Sequence, residues 1–181
     1  MNKKIQWITQ TAIMLALLVA LQALTKPLGQ LVTGSCVNTV LAVSALVGGL
    51  GCGLTVAVIS PVLAFLLGIA SQFLTVPAIM AGNCVYVLLL SFLAAGKESK
   101  IAKQLIGVAV SAAAKFAVLY GIIVWLICGI FSEALLASGA LKAPMLKALP
   151  ATFSWPQFIT ALIGGTAALL IVPILRKALH K

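Results

Sequence analysis

The chain has 181 residues, of which 63% are hydrophobic and 8% charged, with a mean hydropathy of +1.24. A soluble domain carries about 25% charged residues, so the composition excludes an ordinary water-soluble fold and predicts an all-α membrane protein: a single membrane domain over 1–181, with room for about six spans of about 20 apolar residues each. The formal charge of +10, from 12 Lys and Arg against 2 acidic residues, gathers at the ends of apolar runs, which points to positive-inside topology and anionic lipid and away from nucleic acid.

The first predicted span covers 6–24. Its start, Met1-Asn-Lys-Lys, and Ala20-Leu-Gln-Ala23 have the form of a signal peptide. A retained helix is the better reading, because removing it would unpair a six-span topology. Thr25-Lys-Pro-Leu-Gly29 is a breaker cluster. The second span, 35–47, is short and polar at its start (Thr33, Ser35, Asn38, Thr39), so it begins before Gly34 or enters at an angle. A tight glycine turn is expected over Gly48–Gly53, then a third span over 54–70 with a kink at Ser60-Pro61. The fourth span, 77–95, leads into a polar turn, Gly96-Lys-Glu-Ser-Lys100, and the fifth covers 103–131. The sixth, 155–174, runs into the basic tail Arg176–Lys181.

Six spans place both termini on one side. That side carries Lys3, Lys4, Lys97, Lys100, Lys103, Arg176, Lys177 and Lys181, and the other only Lys26, Lys142 and Lys147. The positive-inside rule then makes both termini cytoplasmic. The one long connection, 132–154, falls outside. It reads as short interfacial turns bracketed by Pro144 and Pro150, and acts either as a lid over an outer site or as a passive surface loop.

Small residues recur at helical spacing: Ala12, Ala16 and Ala20 in span one; Ser35, Asn38, Ala42, Ala45 and Gly49 in span two; Gly53, Ala57, Ala64 and Gly68 in span three; Gln157, Thr160, Gly164 and Ala168 in span six. Such stripes let helices approach closely, either within the chain or against a second membrane subunit. Polar residues inside spans are few. Asn83 and Tyr86 share a face of span four, and Ser111 and Lys115 a face of span five. At about 1.5 Å per residue, Lys115 rises roughly 18 Å above Lys103 and Asn83 lies about 9 Å below Pro77. In a core roughly 30 Å thick their levels come within a few ångströms of each other, so a polar cluster in the outer half of the bilayer is geometrically possible. A lysine at such depth costs about 2.5–3.5 kcal/mol on insertion scales. The only acids, Glu98 and Glu133, lie at span ends, which leaves loss of the proton, hydrogen bonds to carbonyls, snorkelling or an anionic ligand to accommodate Lys115, and so a ligand contact, a structural role or a partner contact as its purpose.

No paired carboxylate, nucleophile–histidine pair, phosphate-binding loop or metal motif is present. No enzyme activity, metal or cofactor is therefore expected, and uphill transport would draw its energy from another subunit. Cys36, Cys52, Cys84 and Cys128 are widely spaced, the only histidine is His180, and the cysteines read as small hydrophobes.

The length, six spans, the broken loop Lys26-Pro-Leu-Gly29, the glycine turn, the long connection before span six and above all the stripe Ala12-Ile-Met-Leu-Ala16-Leu-Leu-Val-Ala20 together resemble the substrate-binding S component of energy-coupling factor (ECF) transporters. The resemblance implies a high-affinity subunit for uptake of a vitamin or related micronutrient in the cell membrane of a prokaryote. It would dock through Ala12, Ala16 and Ala20 onto a transmembrane coupling subunit served by two ATPase subunits. The ligand would sit in the outer half, in regions that here supply Asn83, Tyr86, Lys115, Trp125, Trp155, Gln157 and Thr160, with Asn38 and Thr33 nearby. Tyr86, Tyr120, Trp125 and Trp155 suit stacking on a heteroaromatic ligand, though the two tryptophans equally suit an interfacial belt. A self-sufficient channel or facilitator and a membrane assembly subunit are the competing expectations.

Overall fold

The computed structural model describes residues 3–69, 72–94 and 101–179, and among these no residue is in a strand. The chain forms α1 (Lys3–Thr25), α2 (Gln30–Gly48), α3 (Leu50–Leu66), α4 (Val76–Leu93), α5 (Ile101–Leu119), a π-helical continuation of α5 (Tyr120–Ile130), α6 (Ser132–Ala137), α7 (Met145–Phe153) and α8 (Trp155–Ala178). Among the described residues five helical stretches are long and apolar enough to cross a membrane, and α3 is a shorter apolar helix. Large apolar side chains face outward, among them Ile8, Ile13 and Leu24 on α1 and Leu170 and Ile174 on α8. In water such faces would be a liability, but in lipid they are the matched surface, and helices satisfy their backbone groups internally.

Several boundaries differ from expectation. The second span starts at Gln30, because Gly29 (φ 89°) ends the short 3₁₀ turn Lys26–Leu28 and the helix begins directly after it. The glycine-rich stretch is not a six-residue turn. Gly49 alone, at φ 87°, reverses the chain between α2 and α3, and Gly51 and Gly53 are already helical. Left-handed geometry at one residue is the conformation glycine adopts at least cost. Helix α3 accordingly spans 50–66, earlier than the expected 54–70, and continues through Pro61. The connection expected as interfacial turns contains two helices. Pro144 precedes α7, while Pro150 sits inside it and does not bracket it. The polar turn 96–100, with Lys97, Glu98 and Lys100, lies outside the described residues, as do His180 and Lys181.

Helices α2 and α8 form the most intimate pair, and α2 also packs on α1, α3 and α4. The buried face of α8 is Gln157, Thr160, Ala161, Gly164, Gly165, Ala168, Leu169 and Val172, so its small-residue stripe serves packing within the chain. A Cβ placed at Gly164 would lie 2.6 Å from Asn38 Cβ and 2.7 Å from the Thr39 backbone nitrogen. The α1 stripe behaves differently: Ala12, Ala16 and Ala20 are exposed, while Thr11 and Leu18 turn inward. One core cluster joins α2, α3, α4 and α8 around Leu41, Val56, Tyr86 and Ala161. A second, built on Ala78, Leu119, Ile123, Ile127, Leu141 and Leu149, seats α7 against the π-helical segment. Cys36, Cys52, Cys84 and Cys128 are free thiols, of which Cys52 is buried and the others half-buried.

Candidate functional site

Between the two core clusters, at the end of the bundle where α2, α4 and α8 begin, lies a partly open cavity of about 360 Å³. Its floor comes from the middle of three helices: Asn38 on α2, Asn83 on α4 and Lys115 on α5. Asn38 lies eight residues into α2, and Asn83 seven into α4. At about 1.5 Å per residue the floor is roughly 11–12 Å below the helix starts. Val37, Ile79, Leu119, Leu149 and Phe153 form an apolar belt above the floor, and Gln22, Lys26, Gln30, Gln72 and Thr75 contribute polar groups from the chain segments at the helix ends. Helix α7 covers one side through Met145, Ala148, Leu149, Thr152 and Phe153. The i, i+3, i+4, i+7 spacing of these residues puts them on one helical face.

Lys115 is 3% exposed. Its Nζ donates to Asn38 Oδ1 at 2.5 Å and to Asn83 Oδ1 at 2.7 Å and lies 5.3 Å from the centre of the Tyr86 ring. An ammonium has three N–H donors, so the two asparagine oxygens leave one. Both asparagines are neutral. Of the chain's two acids, Glu98 is outside the described residues and Glu133 is exposed on α6. Among the described residues no carboxylate lines the cavity.

The floor is tied to α7 by a series of hydrogen bonds. Asn38 Nδ2 donates to Thr160 Oγ1 at 3.2 Å, and Thr160 Oγ1 donates to the Gln157 carbonyl at 3.2 Å. Gln157 Nε2 donates to the Thr152 carbonyl of α7 at 3.3 Å. With its oxygen and its nitrogen both engaged, the Asn38 amide has one satisfactory orientation. At the mouth, Lys26 Nζ donates to the Gly68 carbonyl at 3.0 Å, and Thr33 Oγ1 to the Thr25 carbonyl at 2.8 Å.

The sequence-predicted residues divide into three groups. Asn38, Asn83, Lys115, Gln157 and Thr33 border the cavity. Tyr86 and Thr160 are fully buried beside it. The Tyr86 hydroxyl donates to the Ala161 carbonyl at 2.8 Å, so Tyr86 supports the floor from beneath and does not line it. Trp125 and Trp155 are 62% and 67% exposed and sit on the outer surface, away from the cavity. Trp125 is turned out because Ile123 and Ile127, four residues apart, take the inward face of the π-helical segment. Trp155 is drawn into a surface cluster, with its ring centre 5.6 Å from that of Phe116 and the planes 19° apart. Tyr120 is also exposed, which leaves Phe153 as the aromatic ring on the cavity wall. Sequence reasoning missed Gln22, Gln30, Gln72, Thr75 and Thr152. Gln22 had a readable signal, since it interrupts an apolar run four residues before Lys26 and so shares its face.

Among the described residues no three His, Cys, Asp or Glu side chains approach one another closely enough to hold a metal ion. No protein-family model matches the chain, and no curated protein or solved structure is significantly similar to it.

Proposed function

We propose that this protein is a membrane-embedded, high-affinity binding subunit for uptake of a small micronutrient, of the ECF S-component kind, working with a transmembrane coupling subunit and two ATPase subunits. The observation that carries this reading is the cavity: an amphipathic chamber with a buried lysine and two asparagines as its floor, a helical lid on one side, and close packing below. Beneath the floor, Tyr86, Leu41 and Val108 are buried, and a Cβ at Gly165 would lie 2.5 Å from Val108 Cγ1 and 2.8 Å from the Tyr86 hydroxyl. A chamber blocked at its base suits a binder better than a self-sufficient channel.

In this reading α3 completes a six-crossing topology despite its length, both termini are cytoplasmic, and the cavity opens to the outside of a prokaryotic cell membrane. The described basic residues support that sidedness. Lys4, Lys103, Arg176 and Lys177 stand at the end of the bundle away from the cavity, against Lys26, Lys142 and Lys147 near the cavity end. The exposed Ala12, Ala16 and Ala20 form the docking face for the coupling subunit, where small side chains allow close helix approach.

Replacing Ala16 with tryptophan is expected to reduce ATP-driven uptake in proteoliposomes at least tenfold while ligand affinity of the isolated subunit stays within about twofold, since surface changes away from a site have small effects there. Unimpaired uptake by this variant would remove the docking assignment. Solute flux with no ATPase present would favour a facilitator.

A further inference from the structure

We infer that the ligand is a monoanionic carboxylic acid that binds with its charged end inward, on Lys115. This deepens the binding-subunit reading and rests on it. The first ground is charge balance. The floor carries one ionisable group, Lys115, held between two neutral amide oxygens at 2.5 and 2.7 Å. A buried ion is costly unless it is paired, and no carboxylate of the described chain reaches the floor. An acid placed there forms a pair of net zero charge with the lysine. An amine would place a second basic group beside the first, and a neutral amide would leave the lysine uncompensated.

The second ground is the donor set. Phosphate recognition favours forked guanidinium groups, helix N-termini or several donors around a doubly charged group. Here the donors at the floor are one lysine N–H and the neutral Asn83 amide, with no guanidinium group, and the floor residues project from the interiors of α2, α4 and α5, well inside the starts of those three helices. A doubly charged phosphate would leave one negative charge buried and unpaired, while a carboxylate matches the site one for one.

The third ground is the order of chemistry along the cavity. Above the floor, Val37, Ile79, Leu119 and Phe153 give an apolar wall interrupted by Thr33, Thr75, Thr152 and Gln157, and Gln22, Lys26 and Gln72 lie toward the mouth. The ligand that fits has an acid at one end, an apolar body, and a polar group at the other end near Lys26. Phe153 offers one ring face to the body, which accommodates a planar ligand without requiring one.

The test uses the low-molecular-mass acidic, neutral and basic fractions of yeast extract, separated by ion exchange, and reads stabilisation of the purified full-length protein against heat. The acidic fraction is expected to stabilise. Its effect should survive treatment with alkaline phosphatase and disappear after methyl esterification of its carboxyl groups. Lys115→Met is expected to need roughly 100-fold more of the fraction for the same response, the scale of losing one partner of a buried charge pair. The unfolding temperature of Lys115→Met without any added fraction, measured alongside, separates a folding defect from a lost response. Stabilisation by the neutral or basic fraction, loss of the effect on phosphatase treatment, or an unchanged response of Lys115→Met would each overturn the acid-inward assignment while leaving a binding subunit. No stabilisation by any fraction would overturn the binding reading itself.

Discussion

Asn38→Asp is expected to weaken binding of the proposed acidic ligand by roughly a hundredfold or more while leaving the protein folded. Aspartate has nearly the shape of asparagine, and its Oδ1 would occupy the place of an oxygen that already accepts from Lys115 Nζ at 2.5 Å. The substitution converts a neutral acceptor into an internal counter-ion. At an effective dielectric of 20, two unit charges about 4 Å apart interact by about 4 kcal/mol, and a tethered carboxylate pays no cost of association. A free acid would have to displace it, so affinity should fall by two orders of magnitude or more, by the same order of energy. The other half of the side chain adapts through one proton. Asn38 Nδ2 now donates to Thr160 Oγ1, and in the aspartate variant the Thr160 hydroxyl would turn from the Gln157 carbonyl to donate to the new oxygen. Buried ion pairs contribute little net stability, so the unfolding temperature should move by only a few degrees. Asn38→Leu is the contrasting case. It removes the acceptor and strands the lysine, and the loss of a hydrogen bond to a charged group costs about 1.5–3 kcal/mol. Thermal unfolding and binding measured on both variants decide the matter, and an aspartate variant that binds acids as well as the parent would refute the counter-ion argument.

Gly164→Leu should leave no folded protein, and even Gly164→Ala should be destabilising. The contact is between backbones. A Cβ at Gly164 would meet Asn38 Cβ at 2.6 Å, the Thr39 nitrogen at 2.7 Å and the Asn38 carbonyl carbon at 2.8 Å. Two of those three atoms are main chain and cannot rotate away, so α2 and α8 must separate. Overpacking typically costs about 1–3 kcal/mol, and here the displaced residue is also a floor residue, so binding should weaken together with stability. Gly121→Ala is the control. Nothing lies within 4 Å of a Cβ there, and alanine is about 1 kcal/mol more favourable than glycine within a helix. Size-exclusion profiles after graded heating should show the Gly164 variants lost first and Gly121→Ala at or above the parent. Equal stability of Gly164→Ala and the parent would mean that the helices are less tightly joined than their spacing indicates.

Much of the site was legible because it rests on local regularities. The rise of a helix is fixed, so counting residues from the span ends puts Lys115 and Asn83 within a few ångströms of one level, and their side chains are hydrogen-bonded at the floor. Asn38 stands out as the one amide in the polar start of the second span. What failed was the assignment of faces on segments that are apolar all round. In the stretch Tyr120–Ile130, the sequence offers no polar stripe to say that Ile123 and Ile127 turn inward and Trp125 outward. The connection before α8 differs for a related reason: Pro150 reads as a boundary in the sequence, yet it falls inside α7, where Leu149 is buried.

By itself the sequence determined the solvent and the inventory: apolar runs separated by Gly and Pro, lysines at their ends, one lysine within, and almost no acid to answer it. Those are properties of composition and of spacing along a single helix. Only the tertiary structure decided which neighbours Lys115 has, that Tyr86 supports the floor from below, that the α8 stripe packs inside while the α1 stripe faces out, and that polar groups from three separate connections gather around one mouth. These depend on which helices lie side by side, and that is set by the fit of whole surfaces such as Gly164 against Asn38, which no window along the chain contains.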